Sequence, residues 1–230
     1  MRAGHRLTLF CYDRPVGVPE GVEIADAREI VPADRIIRYK SGSYALFANQ
    51  FRYQLQRMSR GTWIDCDVYL LKPLDADRPY LIGEEAPGIV NGGILRIPAN
   101  SPMLSLLLAP FDNAKVPSWL PWHERARAYL RRMVSGRNTL SEMPWGTTGP
   151  LAIRNAARAT GIDLGALPPH VLNPVRWQEA EWIVDPGQKL EDRITSDTVS
   201  IHLWNERIKH LKEMPAPPGS FLHRLQAEGA

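Results

Sequence analysis

The stretch Thr62-Trp63-Ile64-Asp65-Cys66-Asp67-Val68 constrains this chain more than any other. It reads as a short buried strand ending in two carboxylates spaced i, i+2. In an extended segment both side chains point to the same side. Two like charges at the end of an apolar strand repel and lose hydration. The arrangement is cheap if a cation sits between them, and oxygen ligands suit a hard ion such as Mg²⁺ or Mn²⁺. Such an ion commonly holds a diphosphate. The plainer alternative is a solvated turn after a strand.

The surrounding chain is large enough to make such a site. Its 230 residues are 44% hydrophobic, which fits one compact domain with a sizeable core, or one domain with a small appendage. The formal net charge of +3 is compatible with an anionic small molecule and does not call for nucleic acid. Arginines are scattered, and no recognition motif for DNA or RNA appears. The two cysteines, Cys11 and Cys66, have no metal-ligand spacing and point to a reducing compartment. No apolar run approaches a membrane span or a signal h-region, so the expectation is a cytoplasmic protein.

Alternating strand and helix signals make the class α/β. Leu7–Tyr12 and Val22–Ile24 read as strands. Ser43–Met58 reads as a helix with Ala48, Phe51, Leu55 and Met58 on its apolar stripe. Tyr80–Ile82, Gly93–Ile97 and Val199–Trp204 are further strands. Ser101–Leu108, Glu124–Val134 and a segment opened by Pro150 and running to Thr160 are helices. Residues 1–212 form the expected domain, and 213–230 a Pro-rich break with a short tail.

Other residues gather around the carboxylates. Asn49 and Arg52 share one face of the helix that feeds the strand, where an Arg can reach a phosphate or a carboxylate. His202 can complete a carboxylate metal site, or be a core histidine. Asn91-Gly92-Gly93 and Gly146-Thr147-Thr148-Gly149-Pro150 read as loops whose backbone can approach a ligand, or as ordinary turns. The second opens a helix, whose first amides favour anions. Trp119, Trp122, His123 and Trp145 lie in Pro- and Gly-rich segments, as sugar-stacking loops or as a small core beneath them.

Taken in order, these blocks resemble the Asp-x-Asp glycosyltransferases of family 32, of the α-1,4-galactosyltransferase and α-1,6-mannosyltransferase types. The resemblance is carried by Ser43–Leu74, with Trp-Ile-Asp-Cys-Asp-Val and Lys-Pro-Leu. It continues in Val90–Ile94, in Thr148-Gly149-Pro150-Leu151-Ala152 and in Ile201-His202-Leu203-Trp204-Asn205. It implies a GT-A fold, a Rossmann-like sheet that binds a nucleotide-sugar and Mn²⁺ or Mg²⁺, shortened at its N-terminus by one strand and helix. It implies hexosyl transfer, with retention, from a nucleotide-sugar such as a UDP-sugar. The acceptor would be a carbohydrate or a lipid-linked molecule, the latter with peripheral membrane contact. A non-catalytic nucleotide-sugar binder of the same fold is the alternative. The metal ligands implied are Asp65, Asp67 and His202. Arg52 would brace the phosphates or donor sugar and act with the two carboxylates in catalysis. Asn49, where many relatives carry Asp, Asn91 and Gly149 would line the donor site together with Arg52 and Asp65.

Overall fold

The computed structural model describes residues 3–112, 116–136, 140–211 and 214–229. Its secondary structure alternates in the mixed α/β manner expected. The elements are β1 (Leu7–Cys11), β2 (Val22–Asp26), α1 (Ala45–Arg57), β3 (Trp63–Ile64), β4 (Val68–Leu70), β5 (Leu81–Ala86) and β6 (Ile89–Arg96). They continue with α2 (Pro102–Asp112), α3 (Trp122–Ser135), α4 (Pro150–Thr160), α5 (Pro169–Leu172), β7 (Ser200–His202), α6 (Asn205–Ile208) and α7 (Phe221–Gly229).

The strands form three small sheets. β1 and β2 pair in parallel, and each has a half-exposed aliphatic residue, Leu7 or Ile24. The central sheet has the order β3-β6-β5 and is antiparallel. β4 and β7 form a separate antiparallel pair in which Val68 faces His202.

Two apolar clusters flank the junction between the second and third sheets. One packs Tyr53 of α1, Ile82, Val90 and Leu95 of the central sheet, Met103, Leu104 and Leu107 of α2, and Ile153 of α4. The other gathers Val175, Trp182, Ile183, Ile201, Trp204 and Ile208 with Phe221 and Leu222 of α7. The Phe221 ring stacks on Trp182 at 5.0 Å between centroids, so the C-terminal segment expected to be a tail contributes its first turn to a core.

Several local expectations are corrected. Trp63–Val68 is not one strand. β3 stops at Ile64, and the Val68 amide donates to the Asp65 carbonyl at 3.0 Å, closing a four-residue turn. Aspartate at the first position of such a turn is favourable, because its side chain satisfies nearby donors. Asn91-Gly92-Gly93 is not a loop but the buried middle of β6. The buried face of α1 includes Leu46, Asn49, Phe51, Arg52, Tyr53 and Leu55, whereas Met58 is exposed. The 3.6-residue stripe locates the helix, but polar partners elsewhere pull Asn49 and Arg52 inward. Trp122 and His123 begin α3 rather than lie in a loop.

Candidate metal centre

The turn after β3 bridges the central sheet and the β4–β7 pair. Asp65 stands at the end of β3, anchored by its amide to the Gly93 carbonyl at 2.7 Å. Asp67 stands immediately before β4, and its carbonyl accepts from the Leu203 amide at 2.8 Å. His202 ends β7. Thus two backbone hydrogen bonds and one strand register bring the two carboxylates and the imidazole together. Their ligating atoms all lie within 4.8 Å of one another. The carboxylates converge through a turn, rather than through the side-to-side alternation of an extended strand.

Each carboxylate has its own support. The Asp65 Oδ1 atom accepts from Trp63 Nε1 at 2.6 Å and from an Arg52 guanidinium nitrogen at 3.2 Å. Among the described residues both donors fall on Oδ1, which leaves Oδ2 for another partner. Asp67 faces His202 Nε2 at 3.4 Å through Oδ1, while Oδ2 accepts from the Asn205 amide at 2.7 Å. Burial works to raise the Asp67 pKa. The hydrogen bond and charge of the His202 ring, with the Asn205 amide, outweigh it and hold the carboxyl below its ordinary value. Like-charge repulsion is therefore relieved by protein groups even before any ion binds.

His202 is almost fully buried, and its ring stacks on Trp204 with centroids 4.0 Å apart. Trp204 in turn donates through Nε1 to the Val175 carbonyl at 2.9 Å. Its backbone is left-handed, at φ 55° and ψ 55°, an uncommon conformation for a bulky residue that costs about 1–2 kcal/mol. That twist turns the chain so that the next amide, Asn205, points back at Asp67. The floor under the His202 ring is Gly93. A side chain there would meet His202 Cε1 at 3.1 Å and Asn91 Oδ1 at 2.9 Å.

Arg52 is a buried strut. Its guanidinium donates to the Gly92 carbonyl at 2.7 Å as well as to Asp65, and its Nε donates to Ala48 at 3.3 Å. Asn49 is buried one turn away and donates to Thr148 Oγ1 at 3.2 Å; Gly149 lies against the same amide. Tyr53 donates to the Thr148 carbonyl at 2.7 Å. One face of α1 therefore grips both the metal-side strand and the turn that opens α4. Asn91 holds the Gly93 amide through Oδ1 and donates to Glu85 at 2.9 Å.

The seven residues to which the resemblance gives a site role fall in one connected region. Asp65, Asp67 and His202 converge directly, Arg52 touches Asp65, Asn91 underlies Gly93, and Asn49 and Gly149 meet at the α4 turn. Trp63, Glu85 and the Asn205 amide were missed. Trp63 had a legible signal, since it stands two residues before Asp65. Trp119 takes the core alternative, donating through Nε1 to the Thr147 carbonyl and packing beside the first cluster.

The donor set could hold a metal ion. Ligands about 2.1 Å from one cation stand roughly 3 Å apart when adjacent and roughly 4.2 Å when opposite. The 3.4 Å between His202 and Asp67 is close to the adjacent spacing. Two carboxylates and one imidazole leave coordination positions for outside oxygens. No family model, curated protein or solved structure matches this chain.

Proposed function

We propose that the chain is a metal-dependent glycosyltransferase of GT-A type that moves a hexosyl group from a nucleotide-sugar, with retention, to a carbohydrate or lipid-linked acceptor. The observation that carries this reading is the convergence of Asp65 and Asp67, from the turn between β3 and β4, with His202, from the end of β7 far along the chain. The ordered blocks that resemble family 32 supply the chemical class. A bound Mn²⁺ or Mg²⁺ supplies charge neutralisation for a diphosphate leaving group.

The chain's own groups do the rest. Asp65, Asp67 and His202 would together hold the ion, their ligand atoms lying within 4.8 Å of one another. Arg52 orients Asp65 and fixes the Gly92 carbonyl, so it acts here as a positioning residue rather than as a direct phosphate ligand. Asn91 fixes the Gly93 amide and keeps the floor flat beneath His202. The Thr148-Gly149 turn, gripped by Asn49 and Tyr53, presents the start of α4 beside this region, where its first amides favour ligand oxygens.

The test is calorimetry with Mn²⁺, then UDP, then a panel of UDP- and GDP-sugars, alongside hydrolysis and transfer assays. Mn²⁺-dependent nucleotide binding with sugar release supports the enzyme. Mn²⁺-dependent binding without turnover on any donor supports the non-catalytic binder. Nucleotide binding that ignores both Mn²⁺ and Asp67→Ala defeats the metal-site reading.

A further inference from the structure

Helix α3 is inside out. Pro121 precedes it, and Gly136, left-handed at φ 62°, ends it. The residue that packs into the protein is small: Ala128 joins Tyr39, Leu46, Leu120, Leu140 and Met143. The large apolar residues face outward. Trp122 is 79% exposed, Leu130 62%, Met133 83% and Val134 82%, with Tyr129 half-exposed. At 100° per residue, Trp122, Ala126, Tyr129, Leu130, Met133 and Val134 fall on one continuous stripe. Soluble helices normally present the opposite face to water, so a stripe of this kind marks a surface that something covers.

Charge identifies the cover. The stripe is bordered by Arg125 and Arg132 on one side and by Arg127 on the other. Within Trp122–Ser135 there are four arginines and one acid, a net charge of +3. That equals the formal charge of the whole chain, so the remaining residues balance at 24 basic and 24 acidic. A cationic helix with Trp, Tyr, Leu and Met on its outer face has the make-up of a helix that lies in a bilayer interface. Arg127 pairs with Glu124 and Arg131 with Glu142; their stems can lie along the apolar boundary while their heads exchange these partners for lipid phosphate, and the helix's Trp and Tyr suit the same depth. At 14 residues it is too short to cross a membrane, and no helix among the described residues is long and apolar enough to do so.

We propose that α3 seats this protein on an anionic lipid surface, with the Trp122–Val134 stripe buried at the headgroup boundary. The inference does not rest on the metal centre. It does bear on it, because Ala128 of α3 belongs to the same buried cluster as Leu46, on the helix that carries Asn49 and Arg52.

The test is sedimentation of the full chain with phosphatidylcholine vesicles and with vesicles containing 30% phosphatidylglycerol, at low and at high salt. The expected result is binding to the anionic vesicles that weakens in high salt. The double variant Leu130→Glu, Met133→Glu alters two exposed residues, so its circular dichroism and melting should match the parent. It should partition at least about tenfold less. Equal binding by this variant, or no binding of the parent to anionic vesicles, overturns the proposal. A parent that is dimeric by ultracentrifugation, ignores vesicles and becomes monomeric on the double substitution assigns the stripe to a second copy instead, which also overturns it.

Discussion

His202 Nε2 stands 3.4 Å from Asp67 Oδ1, beside a strand pair that joins segments far apart in the sequence. The pair holds because Val68 and His202 are register partners, and because the Leu203 amide binds the Asp67 carbonyl. A one-residue slip would swing the imidazole to the opposite face. The site is therefore as well defined as the β4–β7 ladder, which packs through Ile201 on the Trp182–Phe221 cluster.

Asp67→Asn should abolish measurable Mn²⁺ binding in calorimetry while keeping the native circular dichroism. It should also cost about 1 kcal/mol in EDTA at neutral pH, since a charge-assisted acceptor for Asn205 and His202 is weakened. The sign of the pH dependence follows from the depressed Asp67 pKa. Stability from this group is complete above the ordinary carboxylate value of about 3.9 and is lost as pH falls through the lower folded value. The melting gap between the two proteins should thus persist near pH 6 and close below about pH 4. A gap that widens on acidification contradicts the assignment.

Gly92 and Gly93 should respond to alanine in different ways. A methyl at Gly93 meets the His202 ring and Asn91 Oδ1, so Gly93→Ala should weaken Mn²⁺ binding on the order of tenfold with all three ligands intact. A methyl at Gly92 meets the Arg52 guanidinium and should act instead on Asp65 and on stability. Mn²⁺ titration and melting of both variants decide it. Equal losses of affinity would show that the two faces of β6 are not separately tuned.

The sequence pointed to the paired carboxylates of this group better than to the architecture that holds them. Asp65 and Asp67 were legible because paired carboxylates at a strand end are costly without a partner, whereas His202 could equally be a core histidine and joined them only through the resemblance. The turn at Asp65–Val68 was not legible, since a two-residue strand followed by a turn has the same apolar-acid pattern as one longer strand. Asn91-Gly92-Gly93 looked like a loop because glycine pairs usually are. Here they are small so that His202 can lie on one face of β6 and Arg52 on the other. The partners of Arg52 were also hidden, as a helix pattern gives the face of a residue but not the strand it meets. The outward stripe of α3 could not be seen either, because amphipathicity alone does not say which face is buried.

Arg52 should prove more structural than the phosphate-bracing role that the resemblance implies. Arg52→Ala leaves Asp65 without its cation and the Gly92 carbonyl without its donor, both largely buried. The expected cost is about 3 kcal/mol, read as a lower denaturation midpoint with unchanged slope. Arg52→Lys keeps the charge but cannot span both acceptors, so it should recover only part of that stability. Saturating Mn²⁺ should rescue Arg52→Lys more than the wild type, because the ion takes over neutralisation of Asp65. Full stability in Arg52→Ala would mean that Trp63 alone suffices to hold Asp65.

Cys66 gives a readout of the site that does not depend on turnover. It is the exposed residue at the tip of the turn, between the two carboxylates. Desolvation of the sulfur, followed by the charges of Asp65 and Asp67, pushes its thiol up from the ordinary value. Thiolate is the reactive form, so alkylation by iodoacetamide should be slow at pH 8 compared with a free thiol. Neutralising the neighbours should relieve the part of this that their charges cause. Mn²⁺ should speed alkylation of Cys66 in the wild type, and Asp67→Asn should be faster than wild type without metal and indifferent to Mn²⁺. Peptide mapping by mass spectrometry separates Cys66 from Cys11, which serves as the internal control. If Mn²⁺ leaves the Cys66 rate unchanged in the wild type while Cys11 also stays constant, no ion binds between Asp65 and Asp67.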